Sequence, residues 1–262
     1  MDLVPDLSFC IVARQSPERL RATLQAIYDT AGQIMLEVFV VDCGASPGLA
    51  EMLGRHFPAA HLFEDPGQPT WAEASNLSLR LARGRYLALW DEDLLCRPGS
   101  LFALLTFLDD TPEVGLASPR ILAADGRPES TMRRFPSLLS LLAAVPALRG
   151  DWPGKRWRER HSYATHDMTV GAEVDWLQGV ALLMRSEMLE EIGLLNEAYG
   201  DRYADMDLCW RARRAGWHIY FLAQAVAERL PGRDSVLSAS PVPPSWTDMV
   251  RFFWNKLSTR HG

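Results

Sequence analysis

Short apolar runs alternate with amphipathic stretches through the first half of the chain, and this alternation constrains the fold more than any other feature. The run at Leu7–Ala13 is nearly all apolar, as expected of a strand buried on both faces. Ser16-Pro17-Glu18 follows with an N-cap residue, a proline for the first helical position and an acidic residue, which predicts the start of a helix. Repetition of this order predicts a parallel sheet with right-handed crossovers.

The remaining predicted elements follow the same reasoning. Strands are predicted at Met35–Val41, His61–Phe63, Tyr86–Trp90, Val114–Ser118, Val174–Arg185 and His218–Leu222. Helices are predicted at 48–56, from Thr70 to Gly84, and at Ser100–Asp109, Ser186–Ile192 and Asp205–Ala215. No internal repeat and no low-complexity linker interrupts the series, so we expect one continuous domain over 1–262.

Composition excludes several classes of protein. The chain has 33 acidic and 27 basic residues and a net charge of −6, which argues against a nucleic-acid partner. No apolar run reaches the roughly 18–20 residues that span a bilayer. The N-terminus lacks the basic region of a signal peptide. The four cysteines are widely spaced, which favours buried thiols and a cytoplasmic protein.

Acidic residues follow the predicted strands where a ligand would bind. Ligands of parallel sheets lie outside the carboxyl ends of the strands. Asp42 follows the second strand, and Asp91-Glu92-Asp93 follow the strand at Tyr86–Trp90. In an extended chain Asp91 and Asp93 would point to the same side, where Mg²⁺ or Mn²⁺ could bridge them to phosphates. The alternative is a solvated turn. Both glycine-rich phosphate-binding motifs are missing.

Four segments resemble successive motifs of family 2 glycosyltransferases, in order and over roughly residues 7–230: VVDCGASPG, ARGRYLALWDEDLLCRPGSL, VDWLQGVALLMRSE and DMDLCWRARRAGW. The resemblance is closest to the bacterial rhamnosyltransferase-like branch. It implies the α/β GT-A fold, with a mostly parallel central sheet flanked by helices. It further implies a nucleotide-binding half at 1–120 and an acceptor-side half at 121–230, and we predict a C-terminal amphipathic helix at 245–262.

The resemblance assigns roles on the donor side. Asp42 matches the family aspartate that accepts the pyrimidine N3–H, and its alternative role is to form a turn. Asp93 matches the metal ligand, with Asp91 near the ribose or a metal-bound water. Asn76 matches an asparagine beside the nucleotide, although a solvent-facing helix residue is equally expected. Ala13 stands where the family has a donor-binding residue.

On the acceptor side, Asp205 matches the general base that takes the acceptor hydroxyl proton. Its alternative role is to cap a helix, where the helix dipole would lower its pKa. Trp176 and Gly179 match a strand and a turn lining the acceptor site. Their alternatives are a core tryptophan and an ordinary turn glycine.

The chain departs from the family pattern at several positions, among them the end of the first strand, Ala13-Arg14-Gln15, and Asn196-Glu197, where the family has Asp-Glu. Ala204 replaces the acid that precedes the base. The histidine after the last strand, often a metal ligand, is replaced by Glu228 or Arg229. Glu228 would serve as a metal ligand, whereas Arg229 would neutralise the diphosphate directly. These substitutions also fit a decay of activity.

The predicted function is therefore an inverting, metal-dependent glycosyltransferase using a dTDP- or UDP-sugar, with dTDP-rhamnose the leading donor. The predicted acceptor is a cell-envelope polysaccharide or a lipid-linked saccharide. One alternative is a degenerate transferase that binds nucleotide or saccharide, or serves in an assembly. The other is a nucleotidyltransferase, which the missing glycine-rich loop disfavours. The basic cluster at 149–160 is interpreted as a solvated loop or, alternatively, as a site for a lipid-diphosphate acceptor or anionic headgroups. The tail helix is expected to pack on the domain or on a second subunit, as in a homodimer, or to make peripheral membrane contact.

Overall fold

The computed structural model describes residues 4–14, 16–44, 46–65, 67–135, 163, 166–199, 203–232 and 252. The strands are β1 (Leu7–Ala13), β2 (Leu36–Asp42), β3 (His61–Glu64), β4 (Tyr86–Trp90), β5 (Leu94–Cys96), β6 (Val114–Leu122), β7 (Pro128–Glu129), β8 (Met132–Arg133), β9 (Ala172–Glu173), β10 (Trp176–Leu177), β11 (Ala181–Arg185) and β12 (His218–Arg229). The helices are α1 (Pro17–Ala31), α2 (Leu49–His56), α3 (Trp71–Leu79), α4 (Ser100–Asp110), α5 (Ser186–Ile192) and α6 (Ala204–Arg214).

The central sheet has the order β3-β2-β1-β4-β11-β6-β12-β5. The strands β3, β2, β1 and β4 pair in parallel, and β6 pairs in parallel with β12. Strand β11 runs antiparallel between β4 and β6, and β5 runs antiparallel at one edge. The predicted α/β class, with a mostly parallel sheet flanked by helices, is confirmed.

Alternate residues of each central strand pack on opposite faces of the sheet. In β1, Phe9 and Ile11 join a core that includes Leu24 of α1, whereas Cys10 joins a second core that includes Leu208 of α6. This is the period of two expected of a strand covered on both sides. Both faces of the sheet are therefore packed, and this packing positions the residues that follow its strands.

The helix starts follow the sequence signals, but one helix ends early. The Ser16 hydroxyl accepts the Arg19 N–H, and Thr70 forms a capping box with Glu73. The predicted end of α3 at Gly84 is wrong, because α3 ends at Leu79. The N–H groups of Arg83 and Gly84 instead donate to side chains of Glu37 and Ser8, which draws the chain out of the helix toward β4.

The predicted strand at Val174–Arg185 is also wrong, because the structure divides it into β10 and β11. Between them, the Gln178 N–H donates to the Thr131 carbonyl and the Gly179 N–H donates to the Asp205 carboxylate. These two N–H groups therefore do not take part in the hydrogen bonding of the central sheet, and the turn contacts α6 instead. Strands β6 and β12 run beyond their predicted ends, to Leu122 and Arg229.

The C-terminal helix predicted at 245–262 lies outside the described residues, apart from Phe252. The ring of Phe252 packs against those of Phe135 and Trp210. The basic cluster at 149–160 also lies outside the described residues. Within the described part of the chain, no helix has both the length and the apolar character needed to span a bilayer.

The approach of Gly84 to Ser8 yields a stability prediction. A Cβ atom on Gly84 would lie 2.6 Å from the Ser8 backbone nitrogen. Gly84→Ala should therefore lower the free energy of unfolding by about 1–3 kcal/mol, measured by urea titration. The matched control is Gly54→Ala in α2, where a Cβ meets nothing within 4 Å and stability should rise by about 0.5–1 kcal/mol. Equal effects of the two substitutions would contradict this account of the α3–β4 connection.

Candidate active site

The carboxyl edge of the sheet brings the predicted site residues toward one another. Ala13 and Asp42 are paired at the ends of β1 and β2. Asp91 follows β4, and Arg229 ends β12, which runs in the same direction. The first residue of antiparallel β11, Ala181, pairs with Trp90 and so begins at this same edge.

Asp42 is 3% exposed and organises the loop that follows β2. One carboxylate oxygen accepts the Gly44 N–H at 3.0 Å and the Ser46 hydroxyl at 3.1 Å, and the other accepts the Ser46 N–H at 2.8 Å. The turn-forming role is therefore present. A carboxylate offers about four acceptor positions, so these three bonds leave one for a further donor.

The segment Asp91-Glu92-Asp93 forms a turn, so the extended chain on which a same-side placement of the two aspartates would depend is not present. The Leu94 N–H donates to the Asp91 carbonyl at 3.3 Å. The carboxylates of Asp91 and Asp93 nevertheless converge, because both contact Nη1 of Arg229, at 3.4 and 2.5 Å.

Burial, together with the neighbouring Asp93 and Glu92 charges, raises the pKa of Asp91 to about 7 against the opposing charge of Arg229. The Glu92 carboxylate turns away to accept the Arg14 N–H at 3.1 Å.

Arg229 is the main site residue that the sequence left ambiguous. Its side chain is 2% exposed, and its Nε and Nη2 donate to the two oxygens of Glu129 at 2.8 and 3.1 Å. Glu228 points elsewhere and pairs with Arg97. The alternative that Glu228 replaces the family histidine as a metal ligand is therefore wrong.

The charges around Asp91 and Asp93 do not fit a resident divalent cation. The guanidinium of Arg229 already lies against both carboxylates and is anchored by Glu129. Among the residues that the structure describes, no group of three or more His, Cys, Asp or Glu side chains is arranged to hold a metal. A Mg²⁺ or Mn²⁺ ion at these aspartates stays a prediction, and one that the arginine opposes.

Asp205 lies in the first turn of α6 and is 6% exposed. Its carboxylate accepts the Gly179 N–H and the Met206 N–H, each at 2.8 Å. Burial raises its pKa, against the opposing effects of these N–H groups and of Arg133. The expectation that the helix N-terminus lowers this pKa is wrong, because desolvation outweighs the favourable dipole.

A short path of hydrogen bonds joins Asp205 to the aspartate turn. Asp205 accepts the N–H of Gly179, and the carbonyl of the next residue, Val180, accepts the Asp91 N–H at 2.9 Å. Two hydrogen bonds and two adjacent residues thus connect the Asp205 carboxylate to the backbone of Asp91 at one edge of the sheet.

Trp71 is a neighbour of this path that sequence reasoning missed. Its indole lies so close to Gly179 that a Cβ there would meet the ring at 2.5 Å. The capping box at Thr70 marked the helix start but gave no sign that the next side chain reaches Gly179. Trp176 is half-buried in β10 and donates its indole N–H to the Arg134 carbonyl at 3.2 Å.

Asn76 is buried, so the alternative that it faces solvent is wrong. Its amide nitrogen donates to the Leu195 carbonyl and to Glu197, each at 2.8 Å, and its oxygen accepts the Leu195 N–H. These bonds hold α3 against the segment before α6. A nucleotide contact of Asn76 stays a prediction.

Comparison with known proteins extends these observations. The model of the family described as "Glycosyltransferase like family 2" matches residues 5–241. The chain is 24% identical over 236 residues to N-acetylglucosaminyl-diphospho-decaprenol L-rhamnosyltransferase of Mycobacterium tuberculosis, covering 86% of this chain and 75% of the relative. It is 28% identical over 229 residues to a low-salt glycan biosynthesis hexosyltransferase of Haloferax volcanii, covering 83% and 64%.

The fold is similar to that of solved glycosyltransferases. A crystal structure of GalNAc-T7 with UDP, GalNAc and Mn²⁺ superposes with a TM-score of 0.68 at 14% identity. The alignment covers 96% of this chain and 48% of GalNAc-T7, so the chain spans about half the length of that protein.

The contact of Trp71 with Gly179 predicts a specific coupling. Gly179→Ala should lower the free energy of unfolding by about 1–3 kcal/mol, because the new methyl group displaces the indole. In a Trp71→Leu background the same substitution should cost less by about 1 kcal/mol, since the shorter side chain leaves room. The measurement is a double-mutant cycle by chemical denaturation. An equal cost in both backgrounds would refute the close packing.

Proposed function

Because the chain belongs to the glycosyltransferase-like family 2, we propose that it moves a sugar, with inversion, from a nucleotide-diphospho-sugar to a saccharide acceptor. The observation that carries this proposal is the path from Asp205 through Gly179 and Val180 to Asp91. It joins the proposed base to the aspartate turn at the ligand-binding edge of the sheet.

In the proposed reaction, the Asp205 carboxylate takes the proton of the acceptor hydroxyl. The acceptor oxygen then attacks the anomeric carbon, and the bond to the diphosphate breaks, with the electron pair leaving on the nucleoside diphosphate. Displacement with inversion needs one base opposite the leaving group. A pKa raised by burial makes Asp205 a stronger base than an exposed aspartate, provided that it is ionised.

The donor is proposed to be a dTDP- or UDP-sugar. The fourth acceptor position of Asp42 is suited to the N3–H of uracil or thymine. Adenine has no equivalent donor, because its ring nitrogen N1 is an acceptor. Since a relative from M. tuberculosis is a rhamnosyltransferase, dTDP-rhamnose is the first donor to test. A lipid-linked saccharide or a cell-envelope polysaccharide is the proposed acceptor. Trp176 at the acceptor side, peripheral membrane contact and a homodimer stay predictions.

A second candidate is a non-catalytic protein that binds nucleotide or saccharide. Two observations favour it. Ala204 stands beside Asp205 in place of an acid, and Arg229 is already paired with the aspartates expected to serve the donor.

Nucleotide binding is tested by thermal unfolding with dTDP, UDP, GDP and ADP. At ~100 times its Kd, a ligand adds about 2.7 kcal/mol to stability, which raises the Tm by several degrees. We expect this shift with dTDP or UDP and none with ADP, whose adenine has no ring N–H for Asp42. Guanine carries such an N–H at N1, so GDP tests whether the site also accepts a purine. Binding without sugar transfer would favour the second candidate, and no shift with any nucleotide would refute the donor site.

Removal of the base tests catalysis. Asp205→Asn should lower kcat by about 10²–10⁴-fold while leaving the nucleotide-induced Tm shift intact, because the base acts on the acceptor. For the wild type, kcat should fall as pH decreases through the raised pKa of Asp205, since protonation removes the base. Asp110→Asn, at the exposed end of α4, is the matched control. Sugar transfer by Asp205→Asn at the wild-type rate would refute the assignment.

A further inference from the structure

A buried arginine lies where the family pattern calls for metal chemistry. Arg229 is the last residue of β12, and its side chain is 2% exposed. Its Nη1 lies 2.5 Å from an oxygen of Asp93 and 3.4 Å from an oxygen of Asp91. A single guanidinium thus contacts both carboxylates of the motif.

Glu129 fixes the guanidinium in this position. Both of its oxygens accept from Arg229, on the side of the guanidinium away from the Asp93 contact, and its side chain is 14% exposed. Such a two-point contact orients a guanidinium, which a lysine ammonium could not match. Glu129 belongs to β7, which pairs with β6, so the anchor is part of the sheet.

A second arginine approaches the same aspartate from α1. Nη1 of Arg19 lies 3.7 Å from the other oxygen of Asp93. This Nη1 atom is buried and has no hydrogen-bond acceptor among the described residues. A buried donor without an acceptor is costly. An anionic ligand bound beside Asp93 would supply the acceptor that this Nη1 atom lacks.

The strand register determines which residue reaches the site. Glu228 and Arg229 are adjacent and therefore point to opposite sides of β12. Glu228 pairs with Arg97 at the exposed side, whereas Arg229 points to the aspartate turn. The site therefore receives a positive charge from β12 rather than a third carboxylate.

A divalent cation between Asp91 and Asp93 would have to displace this guanidinium. Two cations against the same pair of carboxylates repel each other, and the repulsion is strong in a buried setting. Moving Arg229 away would also leave Glu129 without its partner. The energetics therefore favour the arginine as the permanent cation.

We propose that the guanidinium of Arg229 takes the place of the divalent metal ion at Asp91 and Asp93, so that this protein binds a nucleoside diphosphate without metal. Arg19, whose buried Nη1 has no hydrogen-bond acceptor among the described residues, supplies a charge-assisted hydrogen bond to the diphosphate, while Arg229 balances the charge of the carboxylates. The second part of the proposal, the binding of a nucleoside diphosphate, rests on the proposed function. The first part, the replacement of the metal ion by Arg229, does not.

Mn²⁺ binding tests the replacement directly, through the loss of the free-ion electron paramagnetic resonance signal. The wild-type protein should show no stoichiometric Mn²⁺ binding. The Arg229→His/Glu129→Gln variant, which removes the guanidinium and its anchor together, should gain such binding. Glu228→Gln is the matched control on the opposite side of β12 and should behave as the wild type. Stoichiometric binding to the wild type that Asp93→Asn abolishes would overturn the proposal.

Nucleotide affinity tests the second part. The Kd of the wild type for dTDP or UDP, measured by calorimetry, should be the same in EDTA and in Mn²⁺. Arg19→Gln should weaken binding by about tenfold, because a charge-assisted bond to phosphate is lost. Binding that appears only with Mn²⁺ would overturn the proposal. If neither nucleotide binds in EDTA or in Mn²⁺, the proposed function is refuted, while the Mn²⁺ titration still decides whether Arg229 replaces the metal ion.

Discussion

The ion pairs of one buried guanidinium determine how the ligand-binding edge of this sheet is built. Arg229 joins three segments that are distant in sequence: the end of β12, the turn after β4 and the short strand β7. Burying a charge is costly unless it is paired and hydrogen-bonded, and here four of the polar contacts of Arg229 go to carboxylate oxygens. The conformation of the aspartate turn therefore depends on β12 as much as on β4.

The antiparallel strand β11 contributes the second half of the site. Strand β11 runs antiparallel to its neighbours β4 and β6. Its first residue therefore lies at the edge of the sheet where β4 ends. The turn before it, which contains Gly179, thereby reaches both Asp91 and the start of α6. Asp205 becomes part of the site through this reversal of direction, and its burial there raises its pKa.

Local patterns in the sequence predicted the parts of the structure that local physics determines. The apolar runs predicted the strands, and the capping residues Ser16 and Thr70 predicted the starts of α1 and α3. The predicted strand ends located Asp42 and Asp91 at the ligand-binding edge of the sheet. The end of α3 depends instead on distant side chains, Ser8 and Glu37, and could not be read locally.

The choice between Glu228 and Arg229 was open in the sequence for a similar reason. Strand β12 has a register irregularity between Leu222 and Val226, so counting alternate residues from its start does not give the facing at its end. The family resemblance named the position but not the side chain that reaches the site. Likewise, the helix dipole at Asp205 was visible in the sequence, whereas the burial that outweighs it was not.

The pairing of Arg229 with Glu129 also restricts how such a site can evolve. Removing one partner of a buried ion pair costs about 3–5 kcal/mol, a large share of the 5–15 kcal/mol by which an ordinary domain is stable. A protein in which a neutral residue replaces the arginine while the glutamate is kept is therefore expected to fold poorly. The two codons are expected to change together or not at all, which makes the present arrangement difficult to reverse by single steps.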